Sequence, residues 1–157
     1  MGKRVNTKPQ RTSLQTFLGS MVAICEAGPP VVTRHAARAS FHELRDDVAL
    51  MRLRGPVTAA VLGQFMREMV KRYSDSAAAF IIDFSGALVL ASAPDLVAAV
   101  PTKQELRRSL PWSFVETAEQ EETLVHVSLR LARSGCPARR FYTLHQAHAW
   151  ALSDRGV

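Results

Sequence analysis

The sequence predicts an α/β fold: a compact two-layer sandwich on a mostly parallel sheet that opens with a β-hairpin. Three observations carry this. Short runs rich in Val, Ile, Phe, Leu and Met alternate along the chain with segments whose apolar residues recur every three to four positions. Gly and Pro punctuate the junctions. One run, Ala77 to Phe84 (AAAFIIDF), is apolar almost without alternation, as expected of a strand covered on both faces.

The elements follow in order from Ser40. Phe41 to Leu44 alternates weakly, Arg45-Asp46-Asp47 reads as a tight turn, and Val48 to Arg54 (VALMRLR) alternates as a half-buried strand, which together make a hairpin. Gly55-Pro56 is expected to stop that strand and open a helix, because proline suits a first helical turn. Over Val57 to Tyr73 the residues Val57, Val61, Leu62, Phe65 and Met69 share one helical face, and Lys71 and Arg72 complement the negative helix end. The buried strand AAAFIIDF comes next, ending at a Ser85-Gly86 turn. A helix runs from Pro94 to Val100 and stops at Pro101, and residues 102–110 form a polar, basic connection. Trp112 to Val115 is a strand. Thr117 and Gln120 have capping-box spacing ahead of a helix that ends at Gly135. Arg140 to Tyr142 is a last short strand, and Thr143 begins a final helix carrying Ala147, Trp150 and Ala151. The order is β-β-α-β-α-β-α-β-α, which argues for right-handed crossovers between parallel strands.

The chain has 157 residues, room for one domain with a real core. Its net charge of +6 suggests nucleic acid until it is located. Residues 1–38 hold Lys3, Arg4, Lys8, Arg11, Arg34 and Arg38 against Glu26 alone, while the remainder is nearly neutral. The basicity belongs to a leader, expected to be disordered around Gly28-Pro29-Pro30 apart from a short helix over 13–24. Any contact with nucleic acid or anionic lipid is expected only through that leader. Its outline is loosely that of a secretory signal, but Gln15, Thr16, Gly19 and Ser20 dilute the apolar section, and Asn6 stands where N-myristoylation wants Ser or Thr. No run approaches the roughly 20 apolar residues of a membrane span. Cys25 and Cys136 fit no metal or redox spacing and read as reduced thiols of a cytoplasmic protein.

Three stretches, in this order, give residues 48–152 a family resemblance. VALMRLRGPVTAAVLGQFMREMV is a strand, a Gly-containing break and an amphipathic helix. FIIDFSGALVLASAPDLVAAV is a strand ending Asp-Phe-Ser-Gly, a short apolar step, and a helix start. ETLVHVSLRLARSGCPARRFYTLHQAHAWAL is a helix ending in Gly, a short aromatic strand and an Ala-rich helix. Together they resemble the STAS family, the sulfate-transporter and anti-sigma-factor-antagonist domain, including SpoIIAA-like proteins. On this resemblance the chain divides into a leader, 1–38, and a STAS-like domain, 39–157. The resemblance implies a non-catalytic module that acts by protein–protein contact, with an anti-sigma factor kinase, a transporter subunit or a signalling scaffold as partner. Asp83, Ser85 and Gly86 match the family's strand-end signature. Ser92 falls where the classic antagonists carry their phosphorylatable serine. The residues that usually accompany it are replaced by Ala91, Ala93 and Pro94, which implies a degenerate phospho-switch loop.

The partner-binding surface is therefore expected at the loop and helix start formed by Asp83, Ser85, Gly86, Ala91, Ser92, Pro94 and Asp95. Ser92 has two readings. With Asp95 three residues on it is a helix N-cap. Exposed and phosphorylated, it would place an anion at a positive helix end. Asp83 likewise is either a turn-bonding carboxylate or a group at a strand end where α/β chemistry often lives. His145 and His148 are three apart on the last helix, but no Asp, Glu or Cys is spaced to complete a metal set. His42 and His126 read as structural. Nucleophile-elbow, phosphate-loop and dinucleotide fingerprints are absent, so neither catalysis nor a cofactor is expected. An enzyme would need two of Asp83, Ser85, Ser92 and His145 to converge in a concave site. The alternative function is a small-molecule domain of the same fold, for a nucleotide or a lipid.

Overall fold

A hairpin opens the described part of the chain, residues 36–153 of a computed structural model. The expected leader features before Ala36, including the helix over 13–24, Cys25 and Gly28-Pro29-Pro30, lie outside those residues. β1 (Arg38–Leu44) runs antiparallel to β2 (Val48–Val57), from Arg38 opposite Arg54 to Leu44 opposite Val48. Between them Arg45–Asp47 form a 3₁₀ turn in which Asp46 and Asp47 have φ of 63° and 59°. Aspartate enters this left-handed region more readily than most residues because its short polar side chain bonds locally.

β2 continues through Gly55-Pro56, where the sequence reading stopped it, and α1 (Ala59–Tyr73) begins only after the N-cap Thr58, whose hydroxyl accepts from Val61 N at 3.3 Å. The pairing explains the difference. β1 reaches no further than Arg54, so Gly55 to Val57 pair with β3 and have no strand on their other edge among the described residues. Proline is tolerated on an open edge, and Gly55 takes a φ of 78° that a side chain would resist.

β3 (Ala79–Val89), β4 (Trp112–Val115) and β5 (Ala138–Phe141) each add in parallel, giving a five-stranded sheet in the order β1-β2-β3-β4-β5. The crossovers are α1, then α2 (Ala93–Ala99) with the short α3 (Lys103–Leu106), then α4 (Glu121–Arg133). Right-handed crossovers between successive neighbours place all of these on one face. The capped α3, with Thr102 and Glu105 bonding each other's backbone N–H, was not foreseen in the polar connection 102–110. Thr117 and Gln120 do form a capping box, on a 3₁₀ turn that leads into α4.

The core on that face is aromatic. Phe80 packs on Trp112 with ring centroids 4.5 Å apart, and Phe84 meets Phe114 edge-on at 5.8 Å. Phe65, Met66 and Met69 of α1 and Leu124, Val127 and Leu131 of α4 close over them, all fully buried. Each such side chain contributes about 1.5–3 kcal/mol by leaving water. α5 (Leu144–Ser153) lies on the other face, where Ala147 and Ala151 pack with Val48, Leu50, Ala79, Ile81 and Val115. The two-layer description thus covers the crossover helices, and α5 adds a second cover. Alanines at this contact let the helix backbone come close, and Ser113 Oγ donates to Ala147 O at 3.5 Å.

The α1–α2 contact is as close. A Cβ built on Gly63 would stand 2.6 Å from the Ala99 carbonyl oxygen, a backbone atom that cannot swing away. Gly63→Ala should therefore destabilise by about 1–3 kcal/mol through forced separation of the two helices, despite alanine's better helix propensity. Urea unfolding measures this, and a neutral or stabilising result would show that α2 gives way freely.

Candidate functional site

At the carboxyl end of the parallel strands β3 runs well past β4. Arg52 pairs with Asp83 and Arg54 with Gly86, so β3 holds one residue more than β2 between them. Phe84 and Ser85 together face Leu53, which is a β-bulge. The expected Ser85-Gly86 turn is thus an irregularity inside a strand that runs to Val89. The pattern misleads because a bulge and a turn both use Ser-Gly and both break alternation.

Asp83 holds the bulge. Its Oδ1 accepts from Ser85 N at 2.9 Å and from Ser85 Oγ at 2.6 Å, and Oδ2 lies 3.6 Å from Arg52 Nε. Gly86 eases a close approach: a Cβ there would come to 3.2 Å from Leu53 O, so the facing backbone would have to give slightly. From the helical side Gln120, buried at the start of α4, donates from Nε2 to Phe84 O and Ala87 O, both at 3.0 Å. Sequence reading identified Gln120 only as a capping residue. Its second role required knowing which backbone carbonyls lay beside it.

Beyond the bulge the strand leaves the core. Leu88 is 61% exposed and Leu90 52%. Leu90 N donates to Val57 O at 2.8 Å, which ties this end to the end of β2. The chain then turns through Ala91 into α2, whose N-cap Ser92 is exposed and accepts from Asp95 N at 3.3 Å. Pro94 sits in the first turn. A shallow surface groove of about 490 Å³ runs beside this junction, lined by Thr58, Ala59, Ala60, Leu90, Ala91, Asp95, Ala98 and Ala99. Of the residues singled out from sequence, Ala91 and Asp95 line the groove, and Ser92 and Pro94 sit in the same loop and first turn. Asp83, Ser85 and Gly86 form the bulge up-chain.

His145 and His148 are on α5, and His148 Nε2 lies 3.5 Å from Arg45 O at the hairpin turn. His42 meets Ser40 Oγ at 3.1 Å. Among the described residues no group of three or more His, Cys, Asp or Glu side chains could hold a metal. No hydrogen bond among them links Ser92 or His145 to Asp83 or Ser85. Asp83 and Ser85 do meet, as neighbours within one strand whose bonding is spent on the bulge. Cys136 is free and buried, its thiol pushed up chiefly by burial.

At the ends of β4 and β5 lies a partly buried ion pair. Glu116 Oε1 accepts from Arg140 Nη1 at 2.8 Å, while Oε2 is buried without a partner. Burial raises the Glu116 carboxyl above its ordinary 4.5, outweighing the attraction of Arg140, and Glu121 adds to the rise.

No family model matches the chain, and no curated protein does. Among solved structures it is similar to an uncharacterized protein of the DUF3478 family with a SpoIIAA-like fold from Shewanella loihica PV-4, at 15% identity over 74% of this chain and 94% of that one, TM-score 0.48. It is similar to an anti-sigma factor antagonist from Mycobacterium paratuberculosis, at 17% identity over 75% and 96%, TM-score 0.47. A third similar structure is the phosphorylated form of the Bacillus cell fate determinant SpoIIAA, at 10% identity over 71% and 97%, TM-score 0.43. Among the described residues no helix is long and apolar enough to cross a membrane.

Two outcomes are expected from this geometry. Gln120→Ala removes two bonds to strand carbonyls and should cost about 1–3 kcal/mol, with faster amide exchange at Leu90 than at the core of β3. Unchanged exchange there would mean that the bulge holds itself. Glu116 carries a raised pKa, so its contribution to stability is largest below its ordinary value and is lost as pH rises through the raised one. Glu116→Gln should flatten the pH dependence of unfolding between pH 4.5 and neutrality. A slope equal to that of the wild type would assign the dependence to another group.

Proposed function

We propose that the chain is a non-catalytic STAS-like module that works by protein–protein contact through the junction between β3 and α2. The observation that carries this is the pair of exposed leucines, Leu88 and Leu90, on a strand end held from both sides and flanked by a groove of small residues. Rigid exposed apolar surface rimmed by polar groups is the usual character of a docking site. The order of the three sequence stretches that resemble STAS domains supports the same reading. The partner implied is an anti-sigma factor kinase, a transporter subunit or a scaffold.

Ser92 serves this surface as a helix cap and, on the same proposal, as its control point. A phosphate there would keep acceptor oxygens for the N–H groups of α2 while placing up to two negative charges beside the exposed leucines. Asp95 in the first turn opposes that charge, and Ala91 and Pro94 take away the polar neighbours. Regulation by phosphate is therefore weaker here than the resemblance alone implies. The small-molecule alternative fits the groove less well, since its lining of alanines, Thr58, Leu90 and Asp95 offers no cation for the phosphate of a nucleotide or a lipid headgroup. Catalysis is disfavoured because Asp83 and Ser85 are spent on the bulge.

The test is co-purification from the native host with the full chain, the Leu88→Ser/Leu90→Ser variant and Ser92→Asp, each checked for folding by circular dichroism. A protein partner retained by the wild type should be lost at least about tenfold with the double variant and reduced with Ser92→Asp. Equal recovery of that partner by the folded double variant would overturn the surface. Mass spectrometry of the native protein reads Ser92 directly, and a residue unmodified in every growth condition would remove the switch.

A further inference from the structure

We infer that the open cleft between α1 and the turn after α3 binds a small anionic molecule bearing a phosphate or pyrophosphate group. This site shares no residue with the β3–α2 junction. The cleft measures about 350 Å³ and is lined by Arg67, Val70 and Lys71 of α1 and by Gln104, Glu105 and Arg107. Its size is at the lower end for small-ligand sites.

Charge comes first. Arg67 and Lys71 are four apart on α1 and share a face, an arrangement of like charges that weakens a helix. Glu105 relieves Arg67, with Arg67 Nε at 3.2 Å and Nη2 at 3.5 Å from its carboxylate. Lys71 and Arg107 are exposed and make no hydrogen bond or ion pair among the described residues. Three cations against one carboxylate leave an excess of two, which matches a phosphate group's charge of about −1.5 to −2 near neutrality. Gln104 adds an amide that can donate.

The backbone positions the third cation. Arg107 has φ 61° and ψ −47°, far from any region a non-glycine residue favours. Arg108 N donates to Leu106 O at 2.6 Å, so the segment is a tight γ-turn centred on Arg107. Such a conformation persists only where its surroundings impose it. Here Arg108 imposes it, donating from Nη1 to Ser74 O at 2.7 Å and Ala77 O at 3.3 Å just past the end of α1. The tether fixes Arg107 on the cleft that Arg67 and Lys71 also line.

The experiment titrates the full chain with sodium pyrophosphate, inorganic phosphate and adenosine, read by NMR amide shifts and by thermal melting. Pyrophosphate should perturb amides at 67–71 and 104–108 and raise the melting temperature, with affinity that falls as salt rises. Adenosine should do neither. Lys71→Ala/Arg107→Ala should weaken binding about tenfold or more, while Arg139→Ala on β5 leaves it unchanged. Arg107→Gly separates site from scaffold: it should raise the melting temperature by relieving the turn and still weaken binding. Shifts absent from the cleft, equal binding by Lys71→Ala/Arg107→Ala, or equal binding of adenosine would each overturn the site. A phosphoserine peptide binding the cleft more tightly than pyrophosphate would overturn the small-molecule class.

Discussion

The pairing of β3 with β2 across the bulge at Phe84-Ser85 is the constraint on which the rest of the molecule depends. Below the bulge, Phe80, Ile81 and Ile82 bury both faces of the strand and set the spacing of the crossover helices and of α5. One extra residue then shifts the register, and a strand with an added residue bends and twists more strongly. Asp83 stabilises the shift from within the strand and Gln120 from α4, so the bulge is fixed on both sides. β3 then runs on beyond the end of β4, paired with β2, and presents Leu88 and Leu90. The exposed ledge is a product of the buried strand.

The fold was legible because its signals are periodic. AAAFIIDF, WSFV and the apolar stripe through Leu62, Phe65 and Met69 each report a burial pattern that few alternatives satisfy. Asp46-Asp47 marks the hairpin turn for a reason of local sterics. The failures are also local in kind. Gly55-Pro56 and Ser85-Gly86 were read as breaks because these residues usually end elements, yet both lie inside strands. Gly55-Pro56 survives because β1 stops at Arg54, and Ser85-Gly86 because β2 offers one residue fewer. Neither fact is present in the segment itself; each belongs to its neighbour.

The site was legible only in part, for the same reason. The loop around Ser92 could be picked out, since Ser92, Pro94 and Asp95 declare a helix start. The groove beside it could not, because three of its eight lining residues, Thr58, Ala59 and Ala60, come from the start of another helix. Leu88 and Leu90 read in sequence as one more apolar step toward the core. Exposure there follows from how far β3 extends past β4 along β2, and no single-residue pattern encodes it. Arg107 gives even less warning. A γ-turn at an arginine has no composition signal, and only the tether from Arg108 to Ser74 and Ala77 imposes it.

α1 links the two proposed surfaces. Its first turn lines the groove at the β3–α2 junction and its third and fourth turns line the basic cleft, about 10–15 Å further along at 1.5 Å per residue. Between them Gly63 lets the Ala99 carbonyl approach as closely as a helix allows. That contact leaves α2 little freedom to slide along α1, since the groove edge Ala98-Ala99 and the α3 turn follow within a few residues of it. A packed contact of this kind changes by discrete repacking rather than by gradual yielding. If an anion draws the α3 turn toward Lys71, the strain reaches Ala99 before it can be absorbed in a loop, because Val100, Pro101 and Leu106 are all buried. The geometry of a protein-docking ledge and the occupancy of an anion cleft would then be two readings of one helix–helix contact.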